Sequence, residues 1–333
     1  MIPPIPAIPQ QTVQNQNAPI ADLSYRNYDG PLNSRAIRWW TIALAMFKLH
    51  TKPLSFKVIG ALAMLPYLFV IVVLWLQGQL STAGGGRPSF LVMTGLVDTT
   101  PGQKFALQFY NALGYQLLYL VILTLIAGAG CIASDNKNNA LLIYLSKPIT
   151  KNDYLLGKWM GLFLSIFTVA FGPAALLYFY CMVSFYSDGF FKDEPRLFLH
   201  MLTATGVTAA VFSSIMVGLS AWSKSPRITG AIVAAIYFAG QVVSFTLWRI
   251  TSGGDANKDV ILAHSSIGGA ISGLSQVLYG VTVHTLRGRM KTGFHEVDYA
   301  PPSAFAMWGI LIGLAVIGIA AARIKIRAVE VIS

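Results

Sequence analysis

Long apolar stretches separated by short polar ones run through the chain. Six of them, 58–76, 106–133, 160–185, 199–222, 228–248 and 304–322, are close to or above the roughly 20 residues that carry a helix across a bilayer. Pro66 predicts a kink in the first. A further stretch, 260–283, is only moderately apolar. In it Ile267, Ile271, Leu274, Leu278 and Val281 recur at helical spacing, while Ser265, Gly269, Ser272, Gly273 and Gln276 cover much of the rest. That pattern predicts a helix in the outer interface, or a re-entrant one packed on protein, rather than a seventh span. Ahead of the first span, 37–49 reads as a helix with Trp39 and Trp40 at one end and Lys48 and Lys52 at the other. It is too short and too flanked by charge to span, so it is expected to lie in the interface. The predicted fold class is an all-α integral membrane protein. A Pro-rich disordered tail is expected over 1–21, an interfacial connecting region over 22–57, and a six-span domain over 58–333.

One polar stretch breaks the series in an informative way. Residues 135–159, between the second and third spans, are too polar to cross a membrane. Asn139 to Leu145 can form a short helix with Leu141, Leu142 and Leu145 on one side. Pro148 ends it, because proline lacks a backbone donor and pushes the preceding residue out of the helical region. Thr150 followed by Asp153 then reads as the cap of the next helix. A short, half-apolar helix held between two spans is suited to being gripped at the membrane surface.

Charge sets the orientation. The chain carries 24 Lys and Arg against 13 Asp and Glu, a net +11, with only 11% charged residues and a mean hydropathy of +0.59. With the N-terminus inside, fifteen basic and five acidic residues fall on the inner side, against nine and eight on the outer. That is the bias of the positive-inside rule. It explains the basic excess without nucleic acid, and it places both termini and the 135–159 stretch in the cytoplasm. The N-terminal MIPPIPAIPQ lacks the basic start and helical apolar core of a cleavable signal. Cys131 and Cys181 lie in apolar runs and read as packing residues.

Candidate chemistry is sparse. The interiors of the six predicted spans hold no Asp, Glu, Lys or Arg, which argues against an ion-coupled transporter or a bilayer-embedded enzyme. No GxxxxGK[ST] phosphate loop is present, so energy for uphill transport has to come from another chain. His284, Met290 and His295 match no metal-ligand spacing. Asn111, Tyr115 and Tyr119 form a polar stripe on the second span, and Tyr237, Gln241, Ser244 and Trp248 form another on the fifth. Each stripe is suited to a translocation path, to hydrogen bonds between helices, or to interface anchoring. Gly206, Ala210, Ser214 and Gly218 repeat every four residues on the fourth span, as packing within the bundle or a dimer contact requires.

The stretch DNKNNALLIYLSKPITKNDYLLGK, the basic-aromatic element before the first span and the tail RIKIRAVEVIS together resemble an ABC-2 type permease, the transmembrane subunit of an ATP-binding-cassette transporter. The resemblance runs from about Leu23 to the C-terminus and leaves out the Pro-rich tail. It implies that the central stretch is a coupling helix docking on an ATPase through Asn138, Asn139, Leu142, Tyr144, Leu145, Ser146 and Lys147. It also implies separate ATPase subunits that hold ATP and Mg²⁺, and a second copy or a related permease across a dimer interface. The chain itself is then non-catalytic and binds no cofactor, within a bacterial cytoplasmic membrane, and exports an amphipathic or polymeric compound. Two other roles fit the same features: a permease-like subunit that passes ATP energy to an extracytoplasmic machine, and a membrane scaffold.

Overall fold

A computed structural model describes residues 37–82, 104–140, 149–187, 189–251, 260–281, 283–289, 293–299 and 301–326, which belong to one unit, Ala36–Ser333. Six helices among them are long and apolar enough to cross a membrane, so the chain is an all-α, multi-pass membrane protein. The helix α1 (Arg38–Thr51) precedes the first span, which is divided into α2 (Leu54–Leu62) and α3 (Leu65–Thr82). The second span is α4 (Lys104–Gly128), followed by the short α5 (Ala133–Lys137). Then come α6 (Lys151–Ser184), a one-turn α7 (Phe190–Asp193), α8 (Leu197–Trp222) and α9 (Pro226–Thr251). Beyond them lie α10 (Val260–Ala263), α11 (Ile267–Tyr279) and the last span, α12 (Ala304–Lys325).

Glycines decide which helices touch. Along α6, Gly157 and Gly161 face α1. A Cβ on Gly157 would come within 2.8 Å of the Trp39 carbonyl, and one on Gly161 within 2.9 Å of the Ala43 carbonyl. The expected interfacial helix is therefore seated on the third span, backbone against backbone. At the α8–α12 crossing a Cβ on Gly218 would lie 2.6 Å from the Gly318 carbonyl. Between α6 and α8 the fit is large into small. Trp159, Phe163, Phe167 and Phe171 stack in a ladder on α6, with centroids 5.1–5.5 Å apart and planes within 16° of parallel. Opposite them α8 offers Ser214, which accepts a 2.9 Å hydrogen bond from Trp159 Nε1, and Gly206, whose added Cβ would just reach Phe167.

Prolines leave backbone carbonyls that the fold must satisfy. The first span breaks at Ala63–Met64, just before Pro66, and there Tyr67 N bonds to Met64 O rather than to Ala63 O. In α6, Pro173 supplies no N–H to Val169 O, four residues earlier. One side chain serves both. Gln116 of α4, fully buried, donates from Nε2 to Ala63 O at 3.2 Å and to Val169 O at 3.0 Å. Outside the bundle core, Glu194 caps α4 from a distant loop, its Oε1 accepting from Phe105 N at 3.2 Å and Ala106 N at 2.8 Å.

Within the stretch 260–283, α11 packs on protein. Ile267, Ile271 and Leu274 of α11 are buried, and so are Gly273, Ser275 and Gln276 from its polar side, against α4, α8, α9 and α12. One element was not expected from the sequence. The polar segment before α12 forms a two-stranded antiparallel hairpin, β1 (Val283–Arg289) with β2 (Gly293–Tyr299), pairing Val283 with Tyr299 and Arg289 with Gly293. Pairing gives this segment the backbone partners that a helix would otherwise provide.

Replacing Gln116 with Leu removes the shared donor and leaves two kink carbonyls unpaired in an apolar setting, at about 1–3 kcal/mol each. The variant is expected to unfold several degrees below the wild type in mild detergent. An unchanged midpoint would separate Gln116 from the kinks.

Candidate functional site

The two arms of the central stretch are held by a buried ion pair. The chain leaves α4 at Gly128, turns, and enters α5, which carries Asp135; it returns through α6, which carries Tyr154 and Lys158. Lys158 Nζ lies 2.8 Å from Asp135 Oδ2, and Tyr154 donates its hydroxyl to the same oxygen at 2.6 Å. The ammonium also sits 5.5 Å above the Tyr154 ring and 3.5 Å from Met46 Sδ of α1. Only 5% of the Lys158 side chain and 16% of that of Asp135 remain exposed. The helix that carries the third span begins at Lys151, ahead of the apolar run from 160, because Thr150 and Asp153 form the anticipated capping box, and this takes Lys158, on the flank of that run, into the packed helix. Its charge is tolerated there because Asp135 answers it.

Further bonds fix the same region. Ser220 of α8 accepts from Ile132 N at 3.0 Å and Ala133 N at 2.9 Å and donates to Ala129 O at 3.1 Å, bracing the turn between α4 and α5. Asn136 Nδ2 donates to Ala221 O at 2.9 Å and Ser223 O at 3.1 Å. On the α1 side, Ser165 gives its hydroxyl proton to Gly161 O, so its oxygen accepts from His50 Nδ1 at 3.2 Å. Burial, and then the charge of Lys158, lower the His50 pKa to about 4. Of the residues expected to contact an ATPase, Asn138 and Asn139 close α5, Asn139 with a left-handed φ of 53° that asparagine tolerates. Leu142, Tyr144, Leu145, Ser146 and Lys147 lie outside the described residues.

A second feature lies at the opposite end. A cavity of about 700 Å³ opens between α4, α9 and the α10–α11 pair. Gln241 and Trp248, expected on a path, line it with Tyr237 and His264. Ser244 is engaged elsewhere, donating to Leu262 O at 2.5 Å and so holding α10. From α4 the lining residues are Gly114, Leu117 and Leu118, whereas Asn111, Tyr115 and Tyr119 are outside it. Of the small residues on α8, Ser214 and Gly218 contact α6 and α12 as described, Gly206 faces Phe167, and Ala210 is half-buried between them.

The six long apolar helices make the chain a multi-pass membrane protein. A family model described as ABC-2 family transporter protein matches residues 9–324, and the chain belongs to that family. The match begins inside the stretch expected to be a separate tail. A search of curated proteins finds no match.

Asp135→Asn strands the buried ammonium and is expected to cost about 3 kcal/mol, whereas Asp135→Asn with Lys158→Met recovers much of the loss. Thermal unfolding of the two variants checks this; equal losses would remove the pair as the cause. His50 gives a pH signature. Its folded value of about 4 lies below the ordinary 6.5, so its contribution is whole above pH 6.5 and is lost as pH falls towards 4. Between pH 7 and 5 the wild type should therefore lose more stability than His50→Gln, as read from unfolding midpoints at each pH.

Proposed function

We propose that this chain is the membrane subunit of an exporter driven by separate ATPase subunits that bind ATP and Mg²⁺. The segment an ATPase would grip is 138–147, through Asn138, Asn139, Leu142, Tyr144, Leu145, Ser146 and Lys147. The observation that carries this reading is the Asp135–Lys158 pair, which roots both arms of that segment and reaches α1 through Met46. A loop rooted in this way passes a push to α1, α5 and α6 together instead of absorbing it. Family membership supports the ATPase partner, and the charge bias supports an orientation with both termini and the loop in the cytoplasm.

The subunit works as a pair, with itself or with a related permease. In support, α9 and α12 bury only 22% and 17% of their spans inside the chain, leaving wide apolar faces for lipid and for a partner subunit. Substrate passes along the face that carries Gln241 and Trp248.

Purifying the tagged chain from its own host in mild detergent is expected to bring down a stoichiometric soluble protein bearing a phosphate loop. Leu145→Glu or Tyr144→Glu should remove most of that protein while the membrane subunit elutes as before. A chain that emerges alone, intact and repeatedly would overturn the reading, and retention of the ATPase by both variants would move the contact away from 138–147.

A further inference from the structure

The cavity between α4, α9 and α11 has a polar end made of donors. Ser266 caps α11, its Oγ accepting from Gly269 N at 3.0 Å. Ahead of the first intrahelical bond, the amides of Ile267 and Gly268 have no acceptor among the described residues, so this 13-residue helix presents its positive end there. Two side chains of α9 come to the same place: a Cβ on Gly268 would lie 2.8 Å from both Gln241 Nε2 and Tyr237 Oη. Gln241 is held by its oxygen, which accepts from Ser266 Oγ, and this leaves its Nε2 hydrogens without an acceptor among the described residues. Tyr237 is only 6% exposed, yet among the described residues its hydroxyl has no hydrogen-bond partner.

Unpaired donors in an apolar wall are costly, so the arrangement suits a ligand that brings acceptors. A cation would meet the positive end of a helix, and an apolar ligand would leave the donors unpaired. Among the described lining residues there is no carboxylate. Close by, Arg249 stands 5.3 Å over the ring of Phe245, which lines the cavity, and has no ion-pair partner among the described residues. Away from the polar end the walls are apolar and aromatic, formed by Leu117, Phe238 and Trp248. A volume of about 700 Å³ is of the size that holds a small amphiphile.

We propose that the cavity binds an anionic amphiphile, with its acidic head between Tyr237, Gln241 and the first turn of α11 and its apolar tail along Leu117, Phe238 and Trp248. Gly268 is part of the design, since any side chain there would push both donors away. The proposal names the class of compound handled on the path suggested above, but the binding itself needs no ATPase.

The test uses the full chain in phosphatidylcholine nanodiscs with three probes of one chain length: 12-bromododecanoic acid, 12-bromododecanol and 12-bromododecylamine. Bromine quenching of Trp248 is read as the difference between wild type and Trp248→Phe. The acid is expected to quench saturably and to bind about tenfold more tightly than the alcohol, with the amine weakest. Tyr237→Phe should reduce that preference several-fold and Gln241→Glu, which sets a carboxylate against the head, should abolish it, because the acid loses more affinity than the alcohol in both. Both substitutions are nearly isosteric, so saturable quenching by the alcohol in each variant reports an intact cavity. Equal binding of the three probes, or an acid preference that survives Gln241→Glu, would overturn the proposal. Because no ATPase is present, such a failure is distinct from the chain emerging without an ATPase partner.

Discussion

An ammonium group inside a packed membrane helix cannot be left alone, and much of the structure at one end of the bundle follows from that constraint. Lys158 is answered by Asp135 across the polar stretch, with Tyr154 donating to the same carboxylate oxygen. Because the partners sit on opposite arms, the pair fixes where the segment between them starts and ends. The remaining contacts tighten the same frame. Ser220 braces the turn before α5, Asn136 ties α5 to the end of α8, and the Gly157–Gly161 face lets α1 lie against α6. Single surface ion pairs contribute little, but one that is buried and hydrogen-bonded is strongly destabilising to break. Anchoring of this kind is what the force-bearing role proposed for the loop requires.

Elsewhere the bundle meets its packing demands in two ways. Where helices cross closely, the side chain is removed: Gly157, Gly161, Gly218 and Gly318 all stand where a Cβ would meet a neighbour's backbone. Where a helix is broken, a side chain is supplied, as Gln116 does for the carbonyls near Pro66 and Pro173. Both follow from the solvent. Lipid offers no hydrogen bonds to a broken helix and no hydrophobic gain for merely bringing helices together, so close contact and internal pairing have to provide the cohesion.

Much of this was legible in the sequence, because hydropathy and capping are local signals. The six spans, the Thr150–Asp153 cap, the break near Pro66 and a helix within 260–283 all come from residues close together in the chain. What was missed depends on distant partners. Lys158 reads as the cytoplasmic flank of a span until Asp135 is seen beside it. Gly157 and Gly161 did carry a signal, small residues four apart at the start of a span, although their partner helix lies more than 100 residues earlier. The cap from Glu194 reaches 88 residues back to Ala106. The cavity draws on four elements, so the stripe on α9 pointed to it while the stripe on α4 was offset from the residues that line it.

Because a single amide answers two broken helices, positions 63, 116, 169 and 173 form one thermodynamic unit, although they lie on three different spans. Free-energy changes at sites that share a partner do not add. A residue at 173 that restored the missing N–H would release Val169 O from its dependence on Gln116, and would thereby change which residues position 116 can accept. Substitutions in this family member should thus be tolerated in combinations rather than one at a time, with the middle of the second span recording which prolines its neighbours have kept.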